Sequence, residues 1–453
     1  MFDAQLRFHS RLAALLLVAA WSALAGVAQG QFTRFGAVGG VKVDVDGVIS
    51  HPDAGDFRQL QVAWQQGLEP VPADLNAAAD LRFVSLRSLE AEAARALASG
   101  KPLPDAVRYL AGLQRVRYVL VYPEQKDIVL AGPAEGWRVN SLGSVVGKAS
   151  GRPVLLLDDL LVALRVAESA NASGISCSID PTPEGLARMQ QLSQEMARNQ
   201  NMAPQVAGRQ MEQAVGNQKI TVTGVPATSH FARVIVAADF RMKRLAMDFE
   251  PSPVDGMPSF LDLISSRRAA SNNMMPRWWL APNYDPIRRD DGGLAWELRG
   301  QGVKCMHEEQ FLAAGSVQRT GKTDPTAQKW ADTFTAKFEE LAHEDSAFGE
   351  LRNVMDLAVV AALVAKERLL ERSGLEIPRL QRDVPVEEYI APRAVPSQAS
   401  FVRAGRTSFI SVSGGVQIFP WQVADLTEVS KDLATARPAH SGDASTAWYW
   451  QKR

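Results

Sequence analysis

The most constraining feature of this sequence is a long amphipathic segment that runs from Ser229 to Phe249. Apolar side chains recur along it at helical spacing, which predicts one helix with a continuous buried face. The members of this face are Phe231, Val234, Ile235, Ala238, Met242, Leu245, Ala246 and Phe249. Pro251 and Pro253 end the pattern, since proline cannot continue a helix. We therefore expect a central amphipathic helix that packs on the rest of the fold.

The segments on either side of this helix predict a mixture of strands and helices. Upstream, "RYVLVYPEQKDIVLAG" predicts a buried β-hairpin, and "GISCSI" predicts a strand that leads to a helix capped by Thr182 and begun by Pro183. Downstream, "PRWWLAPNYDP" and "LAWELRGQGVKCM" predict an antiparallel pair of strands. From about residue 325 a helical hairpin is expected, followed by the short strands of "FVRAGRTSFISVSGGVQI". These patterns predict a mixed α/β fold of the α+β class.

The same patterns predict how the chain is organised. A chain of 453 residues is too long for one core of ordinary size, so we expect several regions. They are a signal peptide (1–30), an N-terminal α/β region of strand and helix layers (31–200), a central α+β region (201–322), a helical hairpin with short strands (323–424) and a disordered tail (425–453).

The N-terminus has the three parts of a secretory signal. Arg7 and Arg11 precede an apolar run from Leu12 to Ala28, and small residues follow it. Cleavage after Ala28 or Gly30 fits this pattern. The alternative is an uncleaved membrane anchor, for which the run is slightly short and is followed directly by polar chain. We expect an exported, soluble protein of the periplasm, cell envelope or extracellular space, with no membrane span in the mature chain.

Charge and residue counts exclude several classes of function. The formal net charge of −1 predicts no general attraction to nucleic acid. The sequence has six histidines, none at metal-like spacing from another, and no CxxC motif. We therefore predict neither a metal nor a cofactor. Cys177 and Cys305 either form a disulfide in an oxidising compartment or are two separate buried residues.

Cys177 lies in "GISCSIDPTPEG", where a strand gives way to a helix. A catalytic thiolate needs a nearby helix N-terminus, imidazole or cation to lower its pKa. His230 stands near a helix start in the middle of the chain, so it is the candidate partner. The alternative is that Cys177 is a packed structural residue of the strand.

The predicted central helix also carries a basic stripe beside its apolar face. His230, Arg233, Arg241 and Arg244 recur at helical intervals. One interpretation is a solvated face whose arginine stems shield the edge of the core. The other is a binding strip for an acidic partner protein or a polysaccharide.

Several stretches together resemble a known family. They are "YLAGLQRVRYVLVYPEQKDIVLAGPAEGW", "GRPVLLLDDLLVALR", "GISCSIDPTPEGL", "SHFARVIVAADFRMKRLAM", "PRWWLAPNY" and "SGGVQIFPWQVAD". The chain resembles an exported family of planctomycete bacteria, a domain of unknown function named DUF1598, over nearly all of its mature length. The resemblance implies one continuous unit and carries no activity, cofactor or catalytic residue. Cys177 lies inside a matching stretch and Cys305 outside, which argues against a disulfide between them.

Two hypotheses about function follow from the sequence. The preferred one is a non-enzymatic exported protein that binds an envelope protein or polysaccharide, or helps to organise a surface structure. The alternative is a hydrolase, such as a cysteine peptidase, that uses Cys177 with His230. The first is preferred because no other catalytic motif is found, and because the 10 tryptophans suit binding surfaces as well as cores.

Overall fold

The structure is a computed structural model that describes residues 38–52, 68–198, 204–265, 274–313, 316–319, 324–398, 400–404, 406–410, 412–440 and 448–451. The predicted signal segment, residues 1–30, lies outside these residues. The described residues from Val38 onward belong to one compact unit. The boundaries predicted between the regions of the sequence stay predictions.

The described residues contain thirteen α-helices and twenty strands, besides short 3-10 and π turns. The helices are α1 (Leu86–Ser99), α2 (Asp105–Arg108), α3 (Leu157–Val166), α4 (Ser169–Ser173), α5 (Pro183–Arg198), α6 (Pro204–Val215), α7 (His230–Ala246), α8 (Phe260–Ser265), α9 (Pro325–Ala336), α10 (Phe338–Glu344), α11 (Ser346–Lys366), α12 (Leu369–Ser373) and α13 (Pro420–Asp425).

The strands are β1 (Lys42–Val43), β2 (Ile49–Ser50), β3 (Ala79–Ser85), β4 (Tyr118–Tyr122), β5 (Asp127–Ala134), β6 (Trp137–Val139), β7 (Val145–Gly147), β8 (Ile175–Asp180), β9 (Asn217–Thr223), β10 (Met274–Asn283), β11 (Ile287–Arg289), β12 (Ala295–Glu297), β13 (Gly302–Ala313), β14 (Ser316–Arg319), β15 (Ala394–Pro396), β16 (Ser400–Ala404), β17 (Arg406–Ile410), β18 (Ser413–Ile418), β19 (Thr427–Val429) and β20 (Tyr449–Gln451).

Two seven-stranded sheets organise the molecule. The first sheet has the order β14-β13-β10-β18-β8-β9-β15, and the second has the order β19-β11-β12-β4-β5-β3-β20. In the first sheet, β18 pairs parallel with β10 and antiparallel with β8, so strands far apart in sequence become neighbours. Mixed sheets combined with helices that do not alternate regularly with the strands confirm the predicted α+β class.

The local predictions around β8 and the tryptophan-rich strands are confirmed in most respects. Strand β8 is the predicted "GISCSI" strand, and the Thr182 hydroxyl accepts a hydrogen bond from the Gly185 N–H at the start of α5. Strands β10 and β13 form the predicted antiparallel pair. The difference is that Ala295–Glu297 forms β12 and pairs with β4 in the second sheet. The sharp chain reversal at Gly300, where φ is +104°, separates β12 from β13.

Helix α7 is the predicted central helix. Ser229 caps it by accepting a hydrogen bond from the N–H of Ala232. The helix packs on β8 and β18 on one side and on α11 on the other. Because both sides are covered, polar residues such as Arg233, Asp239 and Lys243 are buried together with the apolar face. This helix is therefore surrounded by protein rather than amphipathic in the ordinary sense.

The C-terminal helices form the expected hairpin, with a break between its arms. Helix α9 ends at Ala336, the short α10 follows, and Asp345 caps α11 by accepting from the N–H of Ala347. Trp330, Phe334 and Phe348 pack together where the arms meet. Helix α11 is buried over most of its length, as its nearly all-round apolar sequence predicts.

The C-terminal tail differs from the disorder that its polar composition predicts. Strand β19 pairs with β11, and β20 pairs with β3 at the opposite edge of the second sheet. The Trp450 ring stacks on Phe83 at a centroid distance of 5.5 Å. A few aromatic side chains and main-chain hydrogen bonds thus anchor a segment whose average composition is polar.

No helix among the described residues combines the length and the apolar character needed to cross a membrane.

Candidate functional site

All five residues that the sequence predicts as site candidates lie on α7 or against it. Cys177 lies on β8 beneath the helix, and His230, Arg233, Arg241 and Arg244 lie along the helix from its first turn to its last. The fold therefore brings the candidates to one element. It places them in three different environments.

The thiol of Cys177 is enclosed in the core. Its side chain is 1% exposed, and Sγ donates a hydrogen bond to the carbonyl of Ile235 at 3.3 Å. Burial raises the pKa of Cys177 well above its ordinary value, and the carboxyl of Asp239 adds to this shift. A nucleophilic cysteine needs the opposite shift, so this environment favours a neutral, structural thiol.

The two cysteines are free and buried. The thiol of Cys305 packs 4.0 Å from the sulfur of Met242, about two turns along α7 from the contact of Cys177 with Ile235. The sequence left a disulfide between them open, and the structure contains none between these residues.

His230 binds a carboxylate instead of the thiol. Its Nδ1 lies 3.1 Å and 2.9 Å from the two carboxylate oxygens of Asp159, in the first turn of α3. Burial alone would lower the pKa of His230, but the charge and hydrogen bond of Asp159 outweigh it and raise the pKa to about 9. At neutral pH the ring is an imidazolium, which cannot accept a proton as a general base does. The catalytic pair of Cys177 and His230 stays a prediction that this geometry does not favour.

Further buried polar groups surround this ion pair. Burial raises the pKa of Glu350 on α11, and the nearby charge of His230 opposes that shift. The ring of Tyr389 lies 6.0 Å from the ring of His230, and the guanidinium of Arg233 lies 5.0 Å from the same Tyr389 ring. Arg233 also donates to the carbonyl of Ile390 at 3.1 Å. These contacts join α3, α7, α11 and the chain before β15, so the N-terminal half of the basic stripe holds the fold together.

A second buried ion pair lies nearer the C-terminal end of α7. Lys243 Nζ donates to Asp239 at 3.0 Å and to the carbonyls of Ile179 and Gly414 at 3.1 Å and 3.2 Å. Burial raises the pKa of Asp239 to about 7, although Lys243 opposes the shift. The pair ties α7 to β8 and β18, and Lys243 also lines a pocket.

This pocket lies at the C-terminal end of α7 and has a volume of about 40 Å³. Its lining residues come from β8, β9, α7 and the chain just after it, the chain around β15, and the residue before β18. They are Ile179, Gln218, Phe240, Lys243, Arg244, Met247, Phe249, Val395, Pro396, Gln398 and Val412. We call it the Arg244 pocket after one of its two charged lining residues, the other being Lys243.

Arg244 is held in place from several directions. Its guanidinium carbon lies 5.5 Å from the ring of Phe240 and 5.8 Å from the ring of Phe249. Nη1 donates to Gln398 Oε1 at 2.8 Å, and Nε donates to the carboxylate of Glu250. Arg241 binds Glu250 too, and it donates to Asp345 at 2.7 Å. Of the three predicted binding arginines, Arg244 is the one that lines the pocket.

Sequence reasoning missed two parts of this arrangement. Asp159 could have been suspected from its place in the first turn of a predicted helix, where an acid is often a cap. Its pairing with His230 depends on the packing of α3 against α7, which cannot be predicted from the sequence. No local sequence pattern marks Gln218, Val395 or Gln398 as pocket residues, because the pocket forms where strand β9 meets β15.

Within the described ranges, no group of three or more His, Cys, Asp or Glu side chains is placed to hold a metal ion.

Comparison with known proteins gives one match. Residues 177–260 match a family model described as "Protein of unknown function (DUF1598)". The segment begins at Cys177 and runs from β8 through the whole of α7, so it supplies most of the lining of the Arg244 pocket. No curated protein and no solved structure matches the chain.

Proposed function

We propose that this chain is an exported planctomycete protein of the periplasm or cell envelope, and that it acts by binding rather than by catalysis. The apolar run after Arg11 and the family resemblance support export and origin. Its ligand in this proposal is an acidic envelope polysaccharide, of which one carboxylate enters the Arg244 pocket.

The observation that supports the proposal is the way in which the Arg244 guanidinium is held in its pocket. Phe240 and Phe249 flank the guanidinium, while Gln398 and Glu250 engage Nη1 and Nε. In the described part of the chain, the contacts of this side chain leave Nη2 for a ligand. A guanidinium fixed in one orientation binds a carboxylate with little further loss of conformational entropy.

The size of the pocket limits what can enter it. The pocket has a volume of about 40 Å³, which suits a small polar group such as a carboxylate better than a whole sugar ring. In this proposal the ring of the uronic acid stays outside and lies against lining residues such as Phe249 and Gln218. Apolar ring faces and amides suit the mixed apolar and hydroxylated surface of a sugar.

The charges near the pocket determine how strongly it is expected to bind a carboxylate. Arg241 and Arg244 are balanced by Glu250 and Asp345, so this cluster has little net charge. Lys243, which also lines the pocket, is paired with Asp239. Affinity for one carboxylate is therefore modest. A polysaccharide would bind more tightly if several copies of the protein on one surface each bound a carboxylate of the same polysaccharide chain.

The test is calorimetric titration of the mature protein with tetragalacturonate, with neutral maltotetraose as the ligand control. Arg244→Gln removes the charge and is expected to weaken tetragalacturonate binding about tenfold, because a charge-assisted hydrogen bond is lost. Arg95→Gln is the matched control, since Arg95 is a surface residue paired with Glu92 on α1. Equal binding of both ligands, or equal affinity of the two variants, would contradict the proposal.

A further inference from the structure

A carboxylate of the chain itself, that of Glu250, already lies against the arginines at the C-terminal end of α7. It binds Nε of Arg244 and Nη1 of Arg241, and the Glu250 side chain is 15% exposed. Arg244 lines the pocket, so an internal anion already contacts the group to which a ligand carboxylate would bind.

The end of α7 brings Glu250 to this position. Asp248 has a left-handed conformation with φ of +56°, which reverses the chain after the last helical turn. The N–H of Phe249 then donates to the carbonyl of Arg244 at 3.0 Å, so the chain runs back beside the helix that it has just left. The carboxylate of Glu250 thereby meets side chains from the last two turns of α7.

Both arginines have further contacts that orient them without Glu250. Asp345 accepts from Nε of Arg241 at 3.0 Å and from Nη2 at 2.7 Å. Arg244 donates from Nη1 to Gln398 at 2.8 Å, and two aromatic rings flank its guanidinium. Removal of the Glu250 carboxylate would therefore leave both guanidinium groups in place.

Glu250 occupies half of one edge of the Arg244 guanidinium. The Nε and Nη2 groups of an arginine form an edge that matches both oxygens of a carboxylate. In the described part of the chain, Glu250 binds this edge at Nε, and the printed contacts of Arg244 leave Nη2 unused. A ligand carboxylate that displaced Glu250 would bind both groups at once.

His51 lies on the solvent side of the Glu250 carboxylate. Its Nδ1 is 3.5 Å from a carboxylate oxygen of Glu250. The His51 side chain is 46% exposed, against 15% for Arg241 and 12% for Arg244. Burial lowers the pKa of His51, and the charges of Arg244 and Arg241 lower it further. A movement of Glu250 toward His51 thus takes its carboxylate away from the arginines and toward solvent.

The charges make such an exchange possible without loss of an ion pair. Arg241 and Arg244 carry two positive charges, and Glu250 and Asp345 carry two negative charges. A further carboxylate therefore approaches a neutral cluster unless Glu250 moves aside. After the exchange, the ligand supplies the charge that Glu250 supplied before, so the two carboxylates compete for one position.

We propose, as an inference that rests on the function proposed above, that Glu250 is a built-in competitor at the Arg244 pocket: its carboxylate holds the Nε side of the Arg244 guanidinium until a ligand carboxylate displaces it toward His51.

The first test is calorimetric titration of the mature protein and its Glu250→Gln variant with tetragalacturonate. Glu250→Gln is expected to bind about fivefold more tightly than the wild type, as the loss of a competing, partly exposed ion pair predicts. Glu92→Gln is the matched control, since it removes a carboxylate paired with Arg95 on α1 and is expected to leave the affinity unchanged. Equal or weaker binding by Glu250→Gln would show that Glu250 orients Arg244 instead of competing for it, and would overturn the proposal.

The second test needs no polysaccharide, so it separates this proposal from the function on which it rests. Phenylglyoxal modifies guanidinium groups, and peptide mapping by mass spectrometry gives its rate at Arg244. The rate is expected to rise in Glu250→Gln and to stay unchanged in Glu92→Gln, because the Glu250 carboxylate covers Nε. An unchanged rate in Glu250→Gln would overturn the proposal.

The two tests together distinguish the two failures. Tetragalacturonate binding that Arg244→Gln weakens but Glu250→Gln does not strengthen would overturn the competitor and leave the binding function standing. A faster reaction of Arg244 in Glu250→Gln, with no binding of tetragalacturonate by any variant, would support Glu250 as the group that covers Arg244 and contradict the polysaccharide ligand.

Discussion

Nδ1 of His230 lies 2.9 Å from a carboxylate oxygen of Asp159, and both side chains are buried. This contact joins the first turn of α7 to the first turn of α3. His230 is the histidine that the sequence predicts as a catalytic candidate, and Asp159 stabilises its charged form. The same contact makes the stability of the protein depend on pH.

The His230–Asp159 pair predicts a loss of stability at alkaline pH. The pKa of His230 is raised to about 9 from an ordinary value of 6.5, so its stabilisation is complete below about pH 6.5 and is lost as pH rises through 9. We expect the free energy of unfolding to fall by on the order of 3 kcal/mol across this range. Urea unfolding of the wild type and His230→Gln between pH 6 and 9.5 measures it.

In that experiment His230→Gln is expected to be less stable at pH 6 and to show a flatter pH profile. His343→Gln provides the control, because His343 is a surface residue that bonds the adjacent Glu344. Parallel profiles for the wild type and His230→Gln would show that the ion pair does not stabilise the fold.

The environment of Cys177 predicts a thiol that does not react in the native protein. Burial raises its pKa and hides the sulfur, and both effects slow thiolate chemistry. In a Cys305→Ser variant, a maleimide probe is expected to label Cys177 only after denaturation. Labelling of the native variant within minutes at pH 7 would revive the hydrolase hypothesis.

The pairing of Lys243, which lines the Arg244 pocket, with Asp239 predicts that acid strengthens anion binding. Below about pH 7 the carboxyl of Asp239 takes up a proton, which leaves the charge of Lys243 unbalanced. Tetragalacturonate affinity is expected to rise about threefold between pH 8 and pH 6, as a nearby unit charge in a high effective dielectric predicts. Titrations at the two pH values measure it.

Asp239→Asn keeps the shape of this side chain and removes its titration. The affinity of this variant for tetragalacturonate is expected to be the same at pH 8 and pH 6, and equal to that of the wild type at pH 6. A wild-type affinity that is independent of pH would count against a role for the Lys243–Asp239 pair in binding.

The C-terminal strand predicts that the tail contributes to stability. Trp450 stacks on Phe83, and β20 adds main-chain hydrogen bonds to β3. Trp450→Ala is expected to lower the free energy of unfolding by about 2 kcal/mol, through the loss of a large aromatic contact. Leu97→Ala on the exposed side of α1 is the control. Urea unfolding curves that superimpose for the wild type and Trp450→Ala would contradict an ordered tail.

Local features of this fold could be predicted from the sequence because short-range chemistry determines them. The spacing of apolar residues located α7, and Thr182 with Pro183 located the start of α5. The strand–helix joint at Cys177 was recognised for the same reason. Its cysteine faces α7, as the alternation of buried and half-buried residues along β8 requires.

Long-range relationships could not be predicted, because they depend on packing between distant segments. Strand β18 lies between β10 and β8 in the first sheet, although the three strands are far apart in the chain. The basic stripe was predicted as a single surface, yet Arg233 and Arg241 bind groups on other elements and Arg244 alone of these three lines the pocket. A helical projection shows which residues share a face but not what covers that face.

The most direct test of the binding account is hydrogen exchange of the mature protein with and without tetragalacturonate. The account predicts slower exchange at residues 240–250 and 394–398, which border the Arg244 pocket, and no such change with maltotetraose. Protection elsewhere with none at these two segments, or protection that persists in Arg244→Gln, would contradict it.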